Sequence, residues 1–498
     1  MCIRDRVVTA LPDISEPKSN NALSLVYALY GNAIGAGLAK DYPEITEAIK
    51  VFADPANSAD SALVSNLEKN AGLKNALLNN TPWVCSAASE TMRMQDLVKY
   101  GDADRSRRIV DTNLERLAAL QNPDGGWSWC DGMESSEFIT ARVLLHLGML
   151  KDIGYLPEEG KRMAEKAVRY ADGCFVKSLK NYKRGEYPYI SLLNYLYVRS
   201  NFANVKPDAT FASMKAKGIA AVKTGWKEMG IYEKATAATL LSREKYPMEA
   251  REILESLRQY ASVDEAKGMW FDNLSSSFFG WNKLITTSQV LEAYSEIEPK
   301  NAAVDQLRQW LLMMKQVENW GDDRETAEVI HAILSSGTKW TVPSAPARIY
   351  VGGRLLDTGR VAALTGSLTA SVDVSGKESL RIERSGNGPA WGGLIRQYIA
   401  PAADVKAAGD AQLSIEKKLY SIEEGSDGST AKAGSLKIGD KVRVTLTLRC
   451  DRDLEYVAVM DSRAACMEPA EQLSGYSVSD GVWMYKDCLL YTSPSPRD

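Results

Sequence analysis

The densest run of groups able to do chemistry is Asn122-Pro-Asp-Gly-Gly-Trp-Ser-Trp-Cys-Asp-Gly-Met-Glu134. Asp124, Asp131 and Glu134 could form an acid/base pair for a sugar or polyprenyl substrate, with Trp127 and Trp129 as apolar walls. The same residues also suit a structural role that needs no substrate, and that role is the one expected. Asp124 caps a turn, Gly125 and Gly126 supply positive φ, and Trp127 staples two helices. Trp320-Gly321-Asp322-Asp323-Arg324-Glu325 is a second acidic turn. It could hold a cation, but it suits the start of a helix at Thr326, where acids cap and complement the dipole. Only two histidines occur, His146 and His331. Both fall in apolar helical stretches and read as core residues, so neither a zinc site nor a Ser–His–Asp triad is supplied. Cys130 and Cys174 have no neighbouring histidine to activate them and read as buried, inert thiols. Arg105–Arg108 reads as a solvated helix face. No catalytic residue, metal site or cofactor is expected.

These loops need a scaffold, and repetition in the chain identifies one. Trp127 precedes Thr140-Ala-Arg-Val-Leu, Trp270 precedes Thr287-Ser-Gln-Val-Leu, and Trp320 precedes Thr326-Ala-Glu-Val-Ile. Each unit is an aromatic residue after a turn, a polar loop, then an amphipathic helix opening with Thr. Helical periodicity covers 219–241 and 250–260, and Pro157 with Glu158 and Pro82 with Trp83 mark helix starts. Repeated helix pairs burying one shared face build a solenoid or close into a toroid. About eleven or twelve helices predict an inner ring within an outer ring, the tryptophans wedged between helix ends. After Trp340 the pattern becomes short strands, at 348–351, 366–374, 379–384, 441–448 and 454–460, with Asp451-Arg452 as a hairpin turn. The predicted fold class is an all-α toroid followed by an all-β tail.

The 498 residues carry 60 Lys+Arg against 64 Asp+Glu, a net charge of -4, with 45% hydrophobic residues. That describes a folded chain, not a disordered one, and lacks the basic density of a nucleic-acid surface. No run is expected to span a membrane. Both ends carry an unusual signature. Cys488-Leu-Leu-Tyr-Thr-Ser can be encoded by TGTCTCTTATACACATCT, whose reverse complement, read from its ATG, encodes Met1-Cys-Ile-Arg-Asp5. This resembles the end sequence of transposase-based libraries, so residues 1–6 and 488–498 are expected to be adapter-encoded. Without them the net charge is -5, and the native cysteines are Cys85, Cys130, Cys174, Cys450 and Cys466, with no CxxC pair.

Several motifs resemble one family. Asn80-Thr-Pro-Trp83-Val with Ser89-Glu-Thr-Met-Arg93 is similar to a segment of bacterial alpha-2-macroglobulin-like proteins. Leu120 through Trp129 resembles the Gly-Gly-Trp loop of their thioester-type toroid, and Asn387-Gly-Pro-Ala-Trp391-Gly-Gly the strand leaving it. Asp451-Arg-Asp-Leu-Glu455, 461–469 and 472–476 resemble the start of the C-terminal macroglobulin sandwich. The resemblance implies residues 7–20 as the end of a preceding β segment and 21–342 as the toroid. It further implies 343–400 as CUB-like strands and 401–487 as a truncated β-sandwich. Trp83, Gly125, Gly126, Trp127, Trp129, Trp270, Trp320 and Trp391 would be structural motif residues. The implied function is peptidase trapping that protects a bacterial envelope, in the periplasm, with peptidases as partners through a bait region outside this chain. A thioester needs Cys-x-x-Gln, and no native cysteine has Gln three places on, so capture would be non-covalent and the protein not an enzyme. The alternatives are a toroid enzyme acting on glycans and a structural envelope-binding module.

Overall fold

In a computed structural model of the chain, the structure describes residues 7–42 except 9, 99–180 except 101, 189–272 except 266, 282–315, 320–337 and 348–356. In the C-terminal part it describes 372–373, 378–383, 413–422, 430–432, 436–450, 461, 467–468, 475–479 and 482–486. The chain divides into two units, Met1–Asp453 and Leu454–Asp498.

The described part of the first unit begins with α-helices: α1 (Leu11–Ser15), α2 (Ala22–Asp41), α3 (Ala103–Ala119), α4 (Glu137–Asp152), α5 (Glu158–Lys180) and α6 (Tyr189–Ser200). It continues with α7 (Ala209–Gly225), α8 (Ile231–Arg243), α9 (Pro247–Arg258), α10 (Lys283–Ile297), α11 (Ala302–Met313) and α12 (Asp323–Ser335). The even-numbered helices form a closed ring: α2 packs on α4, α4 on α6, then α8, α10 and α12, and α12 returns to α2. The odd-numbered helices lie outside, each against one or two members of the ring. This is the expected toroid.

The sequence accounts for which helices lie where. In α3 the buried positions are Ser106, Val110, Asn113, Leu114 and Leu117, a single stripe at i, i+3, i+4 spacing, as an outer helix requires. Helix α2 instead buries residues on every side, from Ala22 to Leu38, with Asn32 among them. It is long and apolar enough to cross a membrane by length and composition, contrary to the expectation that no run would be. Here it is an inner helix of the ring, where apolar side chains all round are needed.

Where a β segment was expected at 7–20, the structure has the helix α1 (Leu11–Ser15). In α1, Leu11 and Ile14 are buried against the ring core. Ser15 Oγ pairs with Tyr100 Oη at 2.7 Å, and Asn32 Nδ2 donates to the Ser15 carbonyl at 2.8 Å. Pro12 stands in the first turn of α1, where its missing N–H is harmless, and α1 continues the outer layer.

The strands are short. β1 (Ala261–Asp264) and β2 (Gly268–Phe271) form a hairpin between α9 and α10. β3 (Arg348–Val351) pairs antiparallel with β4 (Arg354–Leu355) and β5 (Leu380–Glu383). β6 (Leu413–Ile422) lies between β7 (Thr430–Lys432) and β8 (Lys441–Cys450), Leu413 opposite Cys450 and Ile422 opposite Lys441. In the second unit, β9 (Gly475–Ser479) and β10 (Val482–Lys486) form a hairpin. The strand expected at 454–460 and the turn at Asp451 lie outside the described residues.

Candidate functional site

The Gly-Gly-Trp turn is built as a helix-end clamp. Trp127 is fully buried. Its indole Nε1 donates to the Leu117 carbonyl at 3.0 Å, satisfying an acceptor in the last turn of α3, and its backbone N–H donates to Thr140 Oγ1 at 2.9 Å on α4. Gly125 has φ +95, and a Cβ there would meet the Lys166 carbonyl at 2.6 Å. Asp124 Oδ1 accepts from Gly126 N at 3.0 Å and from Ser135 Oγ at 2.6 Å, so its carboxylate is used within the turn.

Trp320 repeats the arrangement. It is fully buried, its Nε1 donates to Leu311 O at 2.6 Å, and its N–H reaches Thr326 Oγ1 at 3.2 Å. In these two repeats Thr140 and Thr326 thus accept from the clamp's backbone. The middle repeat differs. The fully buried ring is Phe271, one residue beyond Trp270. Trp270 is half-buried, stacks on Trp310 at 6.5 Å and donates to Asp272 Oδ2 at 2.8 Å. Pairing of β2 with β1 alternates the faces of Met269, Trp270 and Phe271, which takes Trp270 off the wedge position.

The acidic turn at Trp320 is a helix cap. Asp322 Oδ1 accepts from Glu325 N at 2.8 Å while Glu325 Oε2 accepts from Asp322 N at 2.9 Å, a capping box. Asp323 pairs with Lys18 at 2.5 Å. Among the described residues no group of His, Cys, Asp and Glu is placed to hold a metal ion.

Inside the ring, charged residues gather at both ends. Towards the N-terminal ends of the inner helices, Glu328 in the second turn of α12 lies 2.8 Å from Arg324 and 3.5 Å from Arg142 in the second turn of α4. Burial pushes the Glu328 carboxyl up, but the two guanidiniums outweigh it and hold the carboxyl below its ordinary value. At the opposite end, Arg243 of α8 binds Glu292 at 3.0 Å and Glu296 at 2.8 Å, both on α10. It also donates to Ser200 Oγ and Asn201 Oδ1 at the end of α6. Tyr197 donates to Glu292 at 2.6 Å. His331 of α12 meets Asp152 of α4 at 3.1 Å through Nε2 and lies 3.7 Å from Glu292 through Nδ1. The hydrogen bond from His331 holds the Asp152 carboxyl below its ordinary value. The N-terminal halves of α4 and α12 meet each other, and so do their C-terminal halves, so these two inner helices run parallel.

His331 is therefore not the isolated core histidine expected. His146 is: fully buried, Nδ1 2.9 Å from the Arg142 carbonyl, its ring edge-on to Tyr27 and Tyr30, its pKa lowered by burial to about 4. Cys130 is exposed and Cys174 partly so, contrary to the expected burial. Burial nonetheless raises the Cys174 thiol. Trp129, grouped above with the structural residues, is 55% exposed. Asp131 and Glu134 are exposed on the same loop. Trp83, Trp391 and Cys85 lie outside the described residues. Isolated charges within apolar helices were the only signal in the sequence of the Arg243–Glu292–His331–Asp152 network.

Comparison with known proteins places one segment. Residues 413–496 match the family model described as the bacterial alpha-2-macroglobulin MG10 domain. The matched range includes β6–β10 and runs on through 488–496, residues expected from their coding to be adapter-derived, so the two readings overlap there. Among solved structures, a point mutant of Salmonella alpha-2-macroglobulin matches with 16% identity and a TM-score of 0.34. The match covers 82% of this chain and 24% of that one. No curated protein matches. The C-terminal segment is thus similar to the MG10 domain of bacterial alpha-2-macroglobulins.

Proposed function

We propose that this chain is the toroid and following β part of a bacterial alpha-2-macroglobulin-like peptidase trap that protects the cell envelope from the periplasmic side. The observation that carries the reading is the match of residues 413–496 to an alpha-2-macroglobulin MG10 domain, following a helical toroid in the same chain. The parts fit a scaffold. The motif residues Gly125, Trp127 and Trp320 brace helix ends, and the ionic groups within the ring face one another. In this reading the peptidase is met by a bait region outside the chain, and obstruction is non-covalent. Helix α2, where the resemblance would put a thioester, contains no cysteine.

Two experiments test this. The full-length product of the gene is incubated with a broad-specificity protease, and hydrolysis of a large protein is compared with that of a short chromogenic peptide. A trap suppresses the first and spares the second; equal rates with and without the protein refute trapping. The purified protein is then treated with methylamine and followed by intact mass and free-thiol titration. Neither value should change. Uptake of one amine with one new thiol per chain would refute the non-covalent part alone.

A further inference from the structure

The loop between α3 and α4 carries a surface that the clamp does not use. Trp129 lies flat against Phe138, ring centroids 5.6 Å apart and planes 9° from parallel. Trp129 is 55% exposed, Met133 53% and Phe138 39%. Bulky apolar groups gathered in solvent at one place mark contact surfaces more often than singly scattered ones do. The surface is also held in shape. Ser136 N donates to the Trp127 carbonyl at 2.8 Å, Ser128 Oγ to the Cys130 carbonyl at 2.5 Å, and Asn122 Nδ2 to the Met133 carbonyl at 3.0 Å. A partner would not have to order the loop.

Its rim has one sign. Asp131, Glu134 and Glu137 are exposed on the same loop and the first turn of α4. Among the described residues none of the three has an ion pair. Neighbouring protein atoms desolvate the Glu137 carboxyl and raise it, with no cation offsetting the effect. The Arg142 guanidinium lies over Phe138 at 5.6 Å and is engaged with Glu328. Ionised carboxylates accept hydrogen bonds and donate none. A neutral sugar, whose hydroxyls need donors as well as acceptors, gains little from three such groups. A guanidinium or ammonium gains from all of them and from the face of an exposed indole.

We propose that the Trp129–Phe138–Met133 surface docks a cationic polypeptide segment, one Arg or Lys side chain lying on Trp129 and paired with Asp131, Glu134 and Glu137. This goes beyond peptidase trapping and does not depend on it.

The test uses the whole 498-residue chain and a fluorescein-labelled hexa-arginine peptide, read by fluorescence anisotropy at low and moderate salt. Saturable binding that weakens with salt is expected. Trp129→Ala and the triple change D131N/E134Q/E137Q should each weaken it at least tenfold, with thermal midpoints unchanged. Neutralising exposed acids elsewhere, E252Q/E255Q, should leave it unaltered. The proposal is overturned if Trp129→Ala binds as tightly as the parent, or if E252Q/E255Q weakens binding as much as the loop triple. Tight binding of chitotetraose that the loop triple leaves intact would overturn it in favour of a glycan.

Discussion

Removing the Trp127 side chain should test the clamp most directly. Trp127 has no solvent exposure, and its indole fills the junction of α3 and α4. Truncating a buried Trp to Ala typically costs about 3–5 kcal/mol. The indole also satisfies the Leu117 carbonyl at 3.0 Å. That acceptor lies in the last turn of α3, and leaving it unpaired where water cannot enter adds about 1–3 kcal/mol. The expected loss for Trp127→Ala is therefore about 4–8 kcal/mol. At about 2 cal/mol/K of unfolding entropy per residue, a cooperative unit of roughly 320 residues loses about 1.5 °C per kcal/mol, so Tm falls by about 6–12 °C. Trp127→Phe keeps most of the ring and loses the donor, and should fall between parent and Ala. Trp129→Ala, exposed on the same loop, should change stability by less than about 0.5 kcal/mol. Scanning calorimetry of the three variants decides the matter. A Tm for Trp127→Ala within about 1 °C of the parent would refute the clamp, and equal losses for Trp127→Ala and Trp129→Ala would show that the loop unfolds as a whole.

Arg243→Met should cost about 3–5 kcal/mol, because it leaves Glu292 buried beside Glu296 without its cation; urea titration at neutral pH measures it, and a change below about 1 kcal/mol contradicts the pairing. His146, with a folded pKa of about 4 against 6.5 unfolded, stays neutral in the fold while the unfolded chain takes up a proton. Its contribution is complete above pH 6.5 and is lost as pH falls towards 4, on the order of 3 kcal/mol in total. His146→Gln should flatten the slope of stability between about pH 6.5 and 5; an unchanged slope counts against it. Gly268→Ala combines φ +89 with a Cβ that would clash with the Gln306 carbonyl, whereas Gly154→Ala, at φ +81, meets open space. The second should cost about 1–2 kcal/mol and the first clearly more; equal thermal shifts would show that α11 yields. A fragment starting at residue 21 should be less stable than one starting at residue 7, because it lacks Leu11, Ile14 and the Ser15–Tyr100 hydrogen bond; equal urea midpoints would show α1 to be dispensable.

Local chemistry made much of the fold legible. The Thr-led repeats, the turns with glycine, and the one-sided periodicity of helices such as α3 depend on neighbours in sequence, and they anticipated a toroid with Trp127 and Trp320 wedged at helix ends. The roles of Asp124 and Asp322 as caps follow in the same way, since each bonds within a few residues of itself. What lay beyond reach depends on distant segments meeting. The middle wedge is Phe271 rather than Trp270 because pairing in the β1–β2 hairpin decides which side faces in. The resemblance implied a β segment at 7–20, and only packing against α2 and α12 makes Leu11 and Ile14 part of a buried helix. His331 looks like any core histidine until ring closure brings it to Asp152, 179 residues earlier in the chain. Lys18 meets Asp323 across 305 residues for the same reason. Charges placed singly along apolar helices carry no sign of their partners, and closing the ring is what pairs them, because an unpaired charge there could not be buried.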